Sequence, residues 1–350
     1  MKKVLLSGNE AIAEGAVRAG CRGYFGYPIT PQSEICAYMA KRLEEVGGVF
    51  LQAESEIAAI NMVYGAAAAG MRAMTSSSGP GISLKQEGIS YLAGAQLPAL
   101  IVNVMRGGPG LGNIAPSQSD YFQATKGGGH GDYHLIVLAP SSVQDMADFP
   151  LLAFELADNY RNPVMILTDA ILAQMMEQVS FGKMPCCKMK AKPWAITGAK
   201  GRTPNIIRSL FLQEGVLEAH NKVLQKKYKK MKEKEIRYKL FGDSNPEILL
   251  VAYGSMFRVC MWVVQELKKM GKSCALLRPV TLWPFPYQIV AELAKEVTFI
   301  FVVEMSEGQM LEDVRLGCEG ASPVYFYGRM GGGVPEPEEV LRKVKEVLES

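Results

Sequence analysis

Short apolar runs alternate with alanine-rich or amphipathic stretches along nearly the whole chain, and no other feature constrains the fold as strongly. The strands that this pattern predicts in the first half are residues 3–6, 23–27, 49–52, 72–75, 99–105, 135–138 and 163–167. Strands joined by helices favour a mostly parallel α/β sheet. Because ligands bind at the carboxyl ends of strands in such sheets, the loops 27–33, 76–82 and 106–120 are candidate site segments.

The alternation resumes in the second half after a break. Residues 183–246 depart from it, and the stretch 221–239 holds nine lysines or arginines against two glutamates. Such a run is typical of a solvated helix or connector, which we favour over a nucleic-acid contact. The sequence GDSNPE (242–247) then indicates a boundary. We therefore predict an α/β domain over 1–182, a basic connector over 183–246 and a second α/β domain over 247–350.

Composition and charge exclude several classes of protein. The 350 residues are 48% hydrophobic and 21% charged, which is ordinary for a globular protein. A net charge of +3 gives no argument for a nucleic-acid or membrane partner. The apolar run at 4–6 ends at once in Ser-Gly-Asn-Glu, unlike a signal peptide, and no stretch is apolar enough to span a bilayer. We expect a cytoplasmic protein.

The seven cysteines do not form a cluster-binding pattern. No two have the spacing C-x-x-C, whereas an iron–sulfur cluster needs several closely spaced thiolates. We expect reduced thiols and no cluster on this chain. A redox or metal role for the adjacent pair Cys186 and Cys187 is a weaker alternative. His130 and His134 lie close in sequence but without zinc-ligand spacing around them, so we expect no metal site.

Several catalytic motifs fail when checked residue by residue. Gly271-Lys272-Ser273 resembles the end of a P-loop, but Glu266 stands where that loop needs its first glycine. The glycine-rich runs do not match the dinucleotide fingerprint G-x-G-x-x-G, and the nucleophile elbow G-x-S-x-G does not occur. Hydrolase, kinase and simple dehydrogenase functions have little support.

The turn Gly-Tyr-Pro-Ile-Thr-Pro at 26–31 is the first feature that carries chemistry. Two prolines restrict the backbone around Thr30, and Pro31 disfavours helix at position 30. A rigid turn at a strand end can present the Thr30 hydroxyl in one direction. The alternative is a helix entry capped by Thr30 or Ser33.

The second feature is an acid pair at the head of an alanine-rich helix. Glu54 and Glu56 directly follow the predicted strand 49–52. Acidic side chains stabilise a helix N-terminus, and on residue type alone this structural role for Glu54 and Glu56 is favoured over a catalytic one.

The third feature is Arg106, which closes a predicted strand and precedes Gly107, Gly108 and Gly110. A guanidinium can hold a carboxylate through two parallel hydrogen bonds, and the glycines leave room above it. A structural ion pair is the equally weighted alternative.

In this order the three features resemble the pyrimidine-binding, alpha-type subunit of the 2-oxoacid:ferredoxin oxidoreductases. Members of that family carry a Tyr-Pro-Ile-Thr-Pro turn, then a glutamate heading a small-residue helix, then a strand-terminal arginine. The resemblance continues in the second half through LRPVTLWPFP (277–286) and VEMSEGQM (303–310). The glycine-rich segments 110–113 and 127–132 look most like those of the branched-chain, 2-oxoisovalerate members.

The resemblance implies a fold and a reaction. The fold is a pyrimidine-type thiamine-diphosphate-binding domain over 1–182, followed after the connector by a transketolase C-terminal-like α/β domain over 247–350. The reaction is the coenzyme A-dependent oxidative decarboxylation of a 2-oxo acid, with 3-methyl-2-oxobutanoate the favoured substrate, coupled to reduction of ferredoxin.

The resemblance also implies roles for individual residues. Glu56 would hydrogen-bond the pyrimidine nitrogen of the cofactor, and its distance from the Tyr64-Gly65-Ala66 segment favours it over Glu54. Arg106 would hold the substrate carboxylate, and Thr30 would hydrogen-bond it. The residues expected to bind the cofactor are Tyr27, Pro28, Ile29 and Glu56.

Departures from complete thiamine-diphosphate enzymes show what partners must supply. The chain lacks the Gly-Asp-Gly motif that binds diphosphate and Mg²⁺, and its nearest approach, Gly242-Asp243-Ser244, falls in the connector. We therefore expect the diphosphate and Mg²⁺ on a beta-type subunit and the [4Fe-4S] clusters on partner subunits, with gamma- and delta-type subunits completing the assembly.

Alternative functions remain at this point. Pyruvate and 2-oxoglutarate are alternative substrates, because their enzymes share the turn, the glutamate and the arginine. A second alternative is that the chain is a component of a non-oxidative thiamine-diphosphate enzyme. A third is that it is an assembly subunit whose site residues are vestigial.

Overall fold

The computed structural model describes residues 3–182 and 191–349. Cys186 and Cys187 lie outside the described residues. The strands are β1 (Lys3–Ser7), β2 (Gly23–Gly26), β3 (Val49–Gln52), β4 (Ala73–Ser77), β5 (Leu100–Met105), β6 (Ile136–Leu138), β7 (Val164–Asp169), β8 (Met176–Ser180), β9 (Tyr238–Gly242), β10 (Ile248–Val251), β11 (Cys274–Pro279), β12 (Thr281–Trp283), β13 (Phe299–Glu304) and β14 (Val324–Gly328).

The helices connect these strands and cover the sheets. They are α1 (Gly8–Arg18), α2 (Ser33–Glu45), α3 (Glu56–Ala68), α4 (Gly79–Gly94), α5 (Tyr121–Thr125), α6 (Val143–Tyr160), α7 (Ala170–Gln174), α8 (Val216–Lys234), α9 (Gly254–Lys269), α10 (Tyr287–Ala294), α11 (Gln309–Cys318) and α12 (Pro337–Leu348). No helix among the described residues is long and apolar enough to cross a membrane.

A seven-stranded sheet forms the centre of the first half, in the order β12-β6-β7-β5-β4-β2-β3. The pairs from β6 to β3 are parallel, and only β12 at the edge runs antiparallel to its neighbour. Strands β4, β5 and β7 are buried along their whole length, as expected for strands covered by helices on both faces. The expected mostly parallel α/β sheet is confirmed.

A five-stranded sheet forms the second half, in the order β14-β13-β10-β11-β9. Its strands β14, β13, β10 and β11 pair in parallel, whereas β9 pairs antiparallel with β11. Strand β9 ends the basic stretch of the sequence, so that stretch reaches into the second sheet. Strand β12 comes from the second half but extends the first sheet, and the two halves therefore interlock.

The N-terminal strand differs from the sequence-based expectation. Helix α1, which follows it, begins at Gly8 and is capped by Ser7, which forms a capping box with Glu10. Asn9 is buried, and its amide donates to the carbonyl of Pro31 in a distant turn. Strand β1 pairs antiparallel with β8 in a separate two-stranded sheet, because residues 3–6 meet β8 rather than the parallel strands.

Candidate active site

The turn after β2 carries the first of the expected site residues. Tyr27, Pro28 and Thr30 are exposed, and Ile29 is half-buried. Helix α2 begins with Gln32 as its N-cap and makes no side-chain cap bond. Capping by Thr30 or Ser33, the alternative for this turn, is therefore wrong, and the Thr30 hydroxyl is left available at the surface.

Buried amides hold this turn from beneath. The Asn9 Nδ2 donates to the Pro31 carbonyl at 2.8 Å and to Glu34 Oε2 at 2.7 Å. The Gln32 Nε2 donates to the Tyr27 carbonyl at 3.3 Å. These bonds connect the turn to helix α1 and fix its backbone, which leaves the outward side chains in a set position.

Glu56 is the first residue of helix α3, and its surroundings differ from those of Glu54. The Ser55 hydroxyl caps the helix by accepting from the Ala58 N–H at 3.2 Å. The helix therefore does not need either glutamate as a cap. Glu56 is only 7% exposed, whereas Glu54 is exposed. A buried carboxyl away from solvent interacts strongly with any polar group placed against it.

Arg106 follows β5 and joins two loops. Its side chain is 7% exposed, its Nη1 donates to the Thr30 carbonyl at 3.0 Å, and its Nη2 donates to the Leu111 carbonyl at 3.0 Å. Two of the five guanidinium N–H donors are thus used, and the buried Nε has no partner in the described part of the chain. The structure brings Arg106 and Thr30 together through the Thr30 backbone.

The Gly-Pro-Gly turn at the start of α4 connects Arg106 to Glu56. A Cβ placed on Gly79 would lie 3.1 Å from the Arg106 Nε. A Cβ placed on Gly81 would lie 2.6 Å from the Glu56 Oε1 and 2.3 Å from the Ser77 Oγ. Both side chains therefore pack directly on this turn, and all three expected catalytic residues gather at one edge of the first sheet.

The same edge contains buried polar atoms without partners. The Oγ atoms of Ser77 and Ser78, the Thr75 Oγ1 and the Gln86 Nε2 make no hydrogen bond within the described residues. Buried polar atoms are normally paired, so a ligand with ring nitrogens and an amino group suits this edge. The donors, acceptors and buried carboxyl thus fit the aminopyrimidine part of thiamine diphosphate.

The described residues do not fit the metal ion that accompanies the diphosphate end of that cofactor. Among residues 3–182 and 191–349, no group of three His, Cys, Asp or Glu side chains is placed to hold a metal ion. The Asp243 carboxylate, in the nearest sequence to Gly-Asp-Gly, bonds the Ser273 hydroxyl and the Cys274 N–H within the second half.

The second half supports the loop that follows Arg106. The Gln118 N–H donates to the Met305 carbonyl at 2.8 Å, and the Met305 N–H donates to the Gln118 Oε1 at 2.9 Å. The Asn113 Nδ2 donates to the Gly331 carbonyl at 2.9 Å. Loop 107–120 is therefore held between the two halves.

Sequence reasoning missed several members of this site. It marked the loop 76–82 only by its composition, and did not identify Gly81, Ser77 or the fully buried Lys85. The sequence signal for this part of the site was the pair Gly79 and Gly81 at the start of a predicted helix, because such glycines allow side chains to pack closely against the backbone. Which side chains they meet depends on contacts between segments far apart in sequence.

Family models match both halves of the chain. A model described as "Pyruvate flavodoxin/ferredoxin oxidoreductase, thiamine diP-bdg" matches residues 14–236. A model described as "Pyruvate:ferredoxin oxidoreductase core domain II" matches residues 246–340. Fold and site together thus define a thiamine-diphosphate-binding chain of the oxidoreductase type, as the sequence motifs indicated.

Relatives of known name cover almost the whole chain. The "Ketoisovalerate oxidoreductase subunit VorB" of Methanothermobacter thermautotrophicus is 52% identical over 347 residues, which are 99% of this chain and 98% of the relative. The "2-oxoglutarate synthase subunit KorA" of Methanocaldococcus jannaschii is 37% identical over 98% of this chain and 100% of the relative. The chain belongs to the 2-oxoacid:ferredoxin oxidoreductase family.

Solved structures agree with this assignment. The 2-oxoglutarate:ferredoxin oxidoreductase from Magnetococcus marinus, with 2-oxoglutarate, coenzyme A and succinyl-CoA bound, matches with a TM-score of 0.87 and 29% identity. The match covers 98% of this chain and 65% of that longer chain. A split-gene transketolase matches with a TM-score of 0.62 at 13% identity over 98% of both chains, which shows a shared fold alone.

Proposed function

We propose that this chain is the pyrimidine-binding subunit of an enzyme that oxidatively decarboxylates 3-methyl-2-oxobutanoate to an acyl-CoA and CO₂, with ferredoxin as electron acceptor. The observation that carries the proposal is that Glu56 and Arg106 both pack on one Gly-Pro-Gly turn while Arg106 donates to the Thr30 carbonyl. The 52% identity to a ketoisovalerate oxidoreductase subunit supports the substrate.

Glu56 is the residue that binds the cofactor ring in this proposal. Thiamine diphosphate, when bound, supplies the electron sink that decarboxylation of a 2-oxo acid requires. The Glu56 carboxyl shares a proton with the ring nitrogen. Its burial and its contact with Gly81 keep water away, so the shared proton is held in a low-dielectric setting where it acts strongly.

Arg106 and Thr30 bind the substrate carboxylate in this proposal. Among the described residues, Arg106 bonds only the Thr30 and Leu111 carbonyls, which leaves three of its five guanidinium N–H donors for a ligand. The bonds to those carbonyls hold the guanidinium plane, so little freedom is lost when a carboxylate binds. Thr30 is exposed and its carbonyl accepts from Arg106, so in this proposal its hydroxyl is a further donor to the carboxylate.

The composition of loop 107–120 supports a branched aliphatic substrate. The loop holds exposed Leu111 and Ile114, and space is open around Gly108 and Gly110. It contains no lysine or arginine. A second substrate carboxylate, as in 2-oxoglutarate, would meet no cation from this loop, whereas an isopropyl group would meet apolar side chains.

Partner chains complete the site in this proposal. A beta-type subunit binds the diphosphate and Mg²⁺, further subunits of gamma and delta type complete the complex, and [4Fe-4S] clusters on these partners carry electrons to ferredoxin. The poor fit of this chain's described residues to a metal supports that division.

A substrate panel tests the proposed function. We expect the purified complex to reduce viologen or ferredoxin in a coenzyme A-dependent manner, with kcat/KM about 10-fold or more higher for 3-methyl-2-oxobutanoate than for pyruvate or 2-oxoglutarate. A higher kcat/KM with 2-oxoglutarate would assign that substrate instead. No electron transfer with any 2-oxo acid would favour a non-oxidative enzyme.

A further inference from the structure

Lys85 is a buried lysine that the proposed roles leave unused. It lies on α4, one turn after Gly81, and its side chain is fully buried. Its Nζ makes one long hydrogen bond, 3.4 Å, to the Glu56 carbonyl. It takes part in no ion pair within the described residues. A buried ammonium with so few partners is costly, so a purely structural role is a poor explanation for it.

The polar groups near Lys85 form a neutral network. The Tyr24 hydroxyl lies 3.0 Å from the Cys36 Sγ and 2.6 Å from the Ser76 Oγ, and Ser76 donates to the Gln32 Oε1. Burial raises the pKa values of both the Cys36 thiol and the Tyr24 hydroxyl, so both stay uncharged near neutral pH. Glu56 and Cys36 are the titratable groups that act on Lys85.

Within the described part of the chain, the Glu56 carboxylate is therefore the nearby anion that can balance the Lys85 charge. Lys85 also contacts Glu56 through a hydrogen bond, because its Nζ donates to the Glu56 carbonyl. Helix α4 thus places a cation against the first turn of α3, at the residue proposed to bind the cofactor ring.

We propose that Lys85 is a positioning residue that acts through Glu56: its ammonium holds the first turn of α3 and favours the ionised Glu56 carboxyl, so that the shared proton resides on the ring nitrogen. This inference rests on the role proposed for Glu56. With Lys85 charged, the proton would pass from the Glu56 carboxyl to the ring nitrogen: the carboxyl O–H bond breaks, an N–H bond forms, and no electrons are transferred.

The proposed effect of Lys85 on Glu56 depends on pH, because it requires the charged ammonium. Burial lowers the pKa of Lys85 to about 8, and the Glu56 carboxylate partly opposes this shift. The ammonium is present below this pH and is lost as the pH rises through it. The assistance given to Glu56 should therefore fade above about pH 8.

Lys85→Met in the assembled complex tests this role, because methionine keeps an unbranched side chain and removes the charge. Hydrogen–deuterium exchange at the thiazolium carbon of bound thiamine diphosphate can be followed by rapid quench and NMR, without substrate or ferredoxin. We expect exchange to slow about 10-fold, because the missing charge no longer favours proton transfer from Glu56 to the ring nitrogen. The cofactor Kd should rise, and Tm should stay equal or increase.

Ile89→Val is the matched control, since Ile89 is fully buried on the same helix and uncharged. It should lower Tm slightly and leave exchange unchanged. Wild-type exchange should fall above about pH 8, and Lys85→Met should lack this fall. The proposal would be overturned if Lys85→Met exchanged at the wild-type rate, or if its loss of exchange came with a lower Tm. It would also be overturned if the wild-type exchange rate did not fall above about pH 8.

Glu56→Gln separates this inference from the proposed function. If Glu56→Gln abolishes exchange while Lys85→Met matches the wild type, the role of Glu56 stands and that of Lys85 fails. If Glu56→Gln exchanges at the wild-type rate, both fail.

Discussion

Glu54 and Glu56 are two residues apart, yet their surroundings make them chemically different. Ser55 caps the helix between them, so neither carboxyl is needed there, and only Glu56 is buried. The contact of Glu56 with Gly81 and the bond from Lys85 to its carbonyl come from α4. Glu56 therefore makes contacts with α4 that Glu54, a residue of the same type two positions away, does not make.

Substitution Arg106→Lys tests the substrate-binding role. Lysine keeps the charge but loses the planar fork, so the bonds to the Thr30 and Leu111 carbonyls cannot both persist. We expect kcat/KM for the 2-oxo acid to fall about 10- to 100-fold, or ~1.5–3 kcal/mol, mainly through KM. Steady-state kinetics with varied substrate measure this.

Arg72→Lys is the matched control. Arg72 is also 7% exposed and pairs with Asp158 at 2.8 Å, away from the site. It should lower Tm without changing KM. An unchanged KM in Arg106→Lys would remove Arg106 from substrate binding.

Thr30, Glu56 and Arg106 could be proposed from the sequence because they stand in order at predicted strand ends and match family motifs. Lys85 and Ser77 could not, because their significance lies in contacts across helices α3 and α4 and strand β4. A lysine in a sequence is expected at the surface, and nothing local to Lys85 predicts its complete burial.

The start of helix α4 separates the side chains of Arg106 and Glu56, for which we propose roles in binding substrate and cofactor. Gly81 allows the Glu56 carboxyl and the Ser77 hydroxyl to lie where a Cβ would stand. Both are side-chain tips, which can move without unfolding the helix. Gly81→Ala should therefore displace the carboxyl while keeping the fold.

We expect Gly81→Ala to change the free energy of unfolding by less than ~1 kcal/mol and to lower kcat roughly 100-fold, since small displacements at a reacting centre have large kinetic effects. Gly65→Ala, in the exposed part of α3 with nothing within 4 Å of the added Cβ, should stabilise the helix by up to ~1 kcal/mol and leave kcat unchanged. Equal activity in Gly81→Ala and the wild type would contradict the packing of Glu56 against this turn.

The strands of the first half were predictable, because apolar periodicity acts locally. Strand β3 (Val49–Gln52) begins and ends where the pattern predicts. The sheets that β1, β9 and β12 join could not be predicted, because the partner of a strand depends on tertiary packing. The antiparallel edge strands of the two large sheets are β12 and β9, whereas β1 and β8 form a separate antiparallel pair.

The two halves are joined where strand β12 enters the first sheet. Trp283 of β12 stacks on His134 of the first half, with ring centroids 4.5 Å apart and an interplanar angle of 16°. Burial, followed by the nearby Lys232 and Lys126, lowers the pKa of His134 to about 4. This contact links the site-bearing sheet to the half that supports loop 107–120.

The His134 shift predicts how stability depends on pH. Its pKa is below the ordinary 6.5, so the unfolded chain binds a proton that the folded chain does not, and stability is lost as pH falls from about 6.5 to about 4. The loss should be ~3 kcal/mol at most. His134→Phe, which keeps the stack, should match the wild type at pH 8 and be more stable below pH 6 in urea titrations. Parallel pH curves for the two proteins would contradict this assignment.

The most direct test of the account compares Glu56→Gln with Glu54→Gln in the assembled complex. We expect Glu56→Gln to assemble normally but to retain about 1% or less of the coenzyme A-dependent viologen reduction with 3-methyl-2-oxobutanoate, and Glu54→Gln to remain near wild type. Normal turnover by Glu56→Gln, or an equal loss in both variants, would contradict the assignment of Glu56 to the cofactor ring.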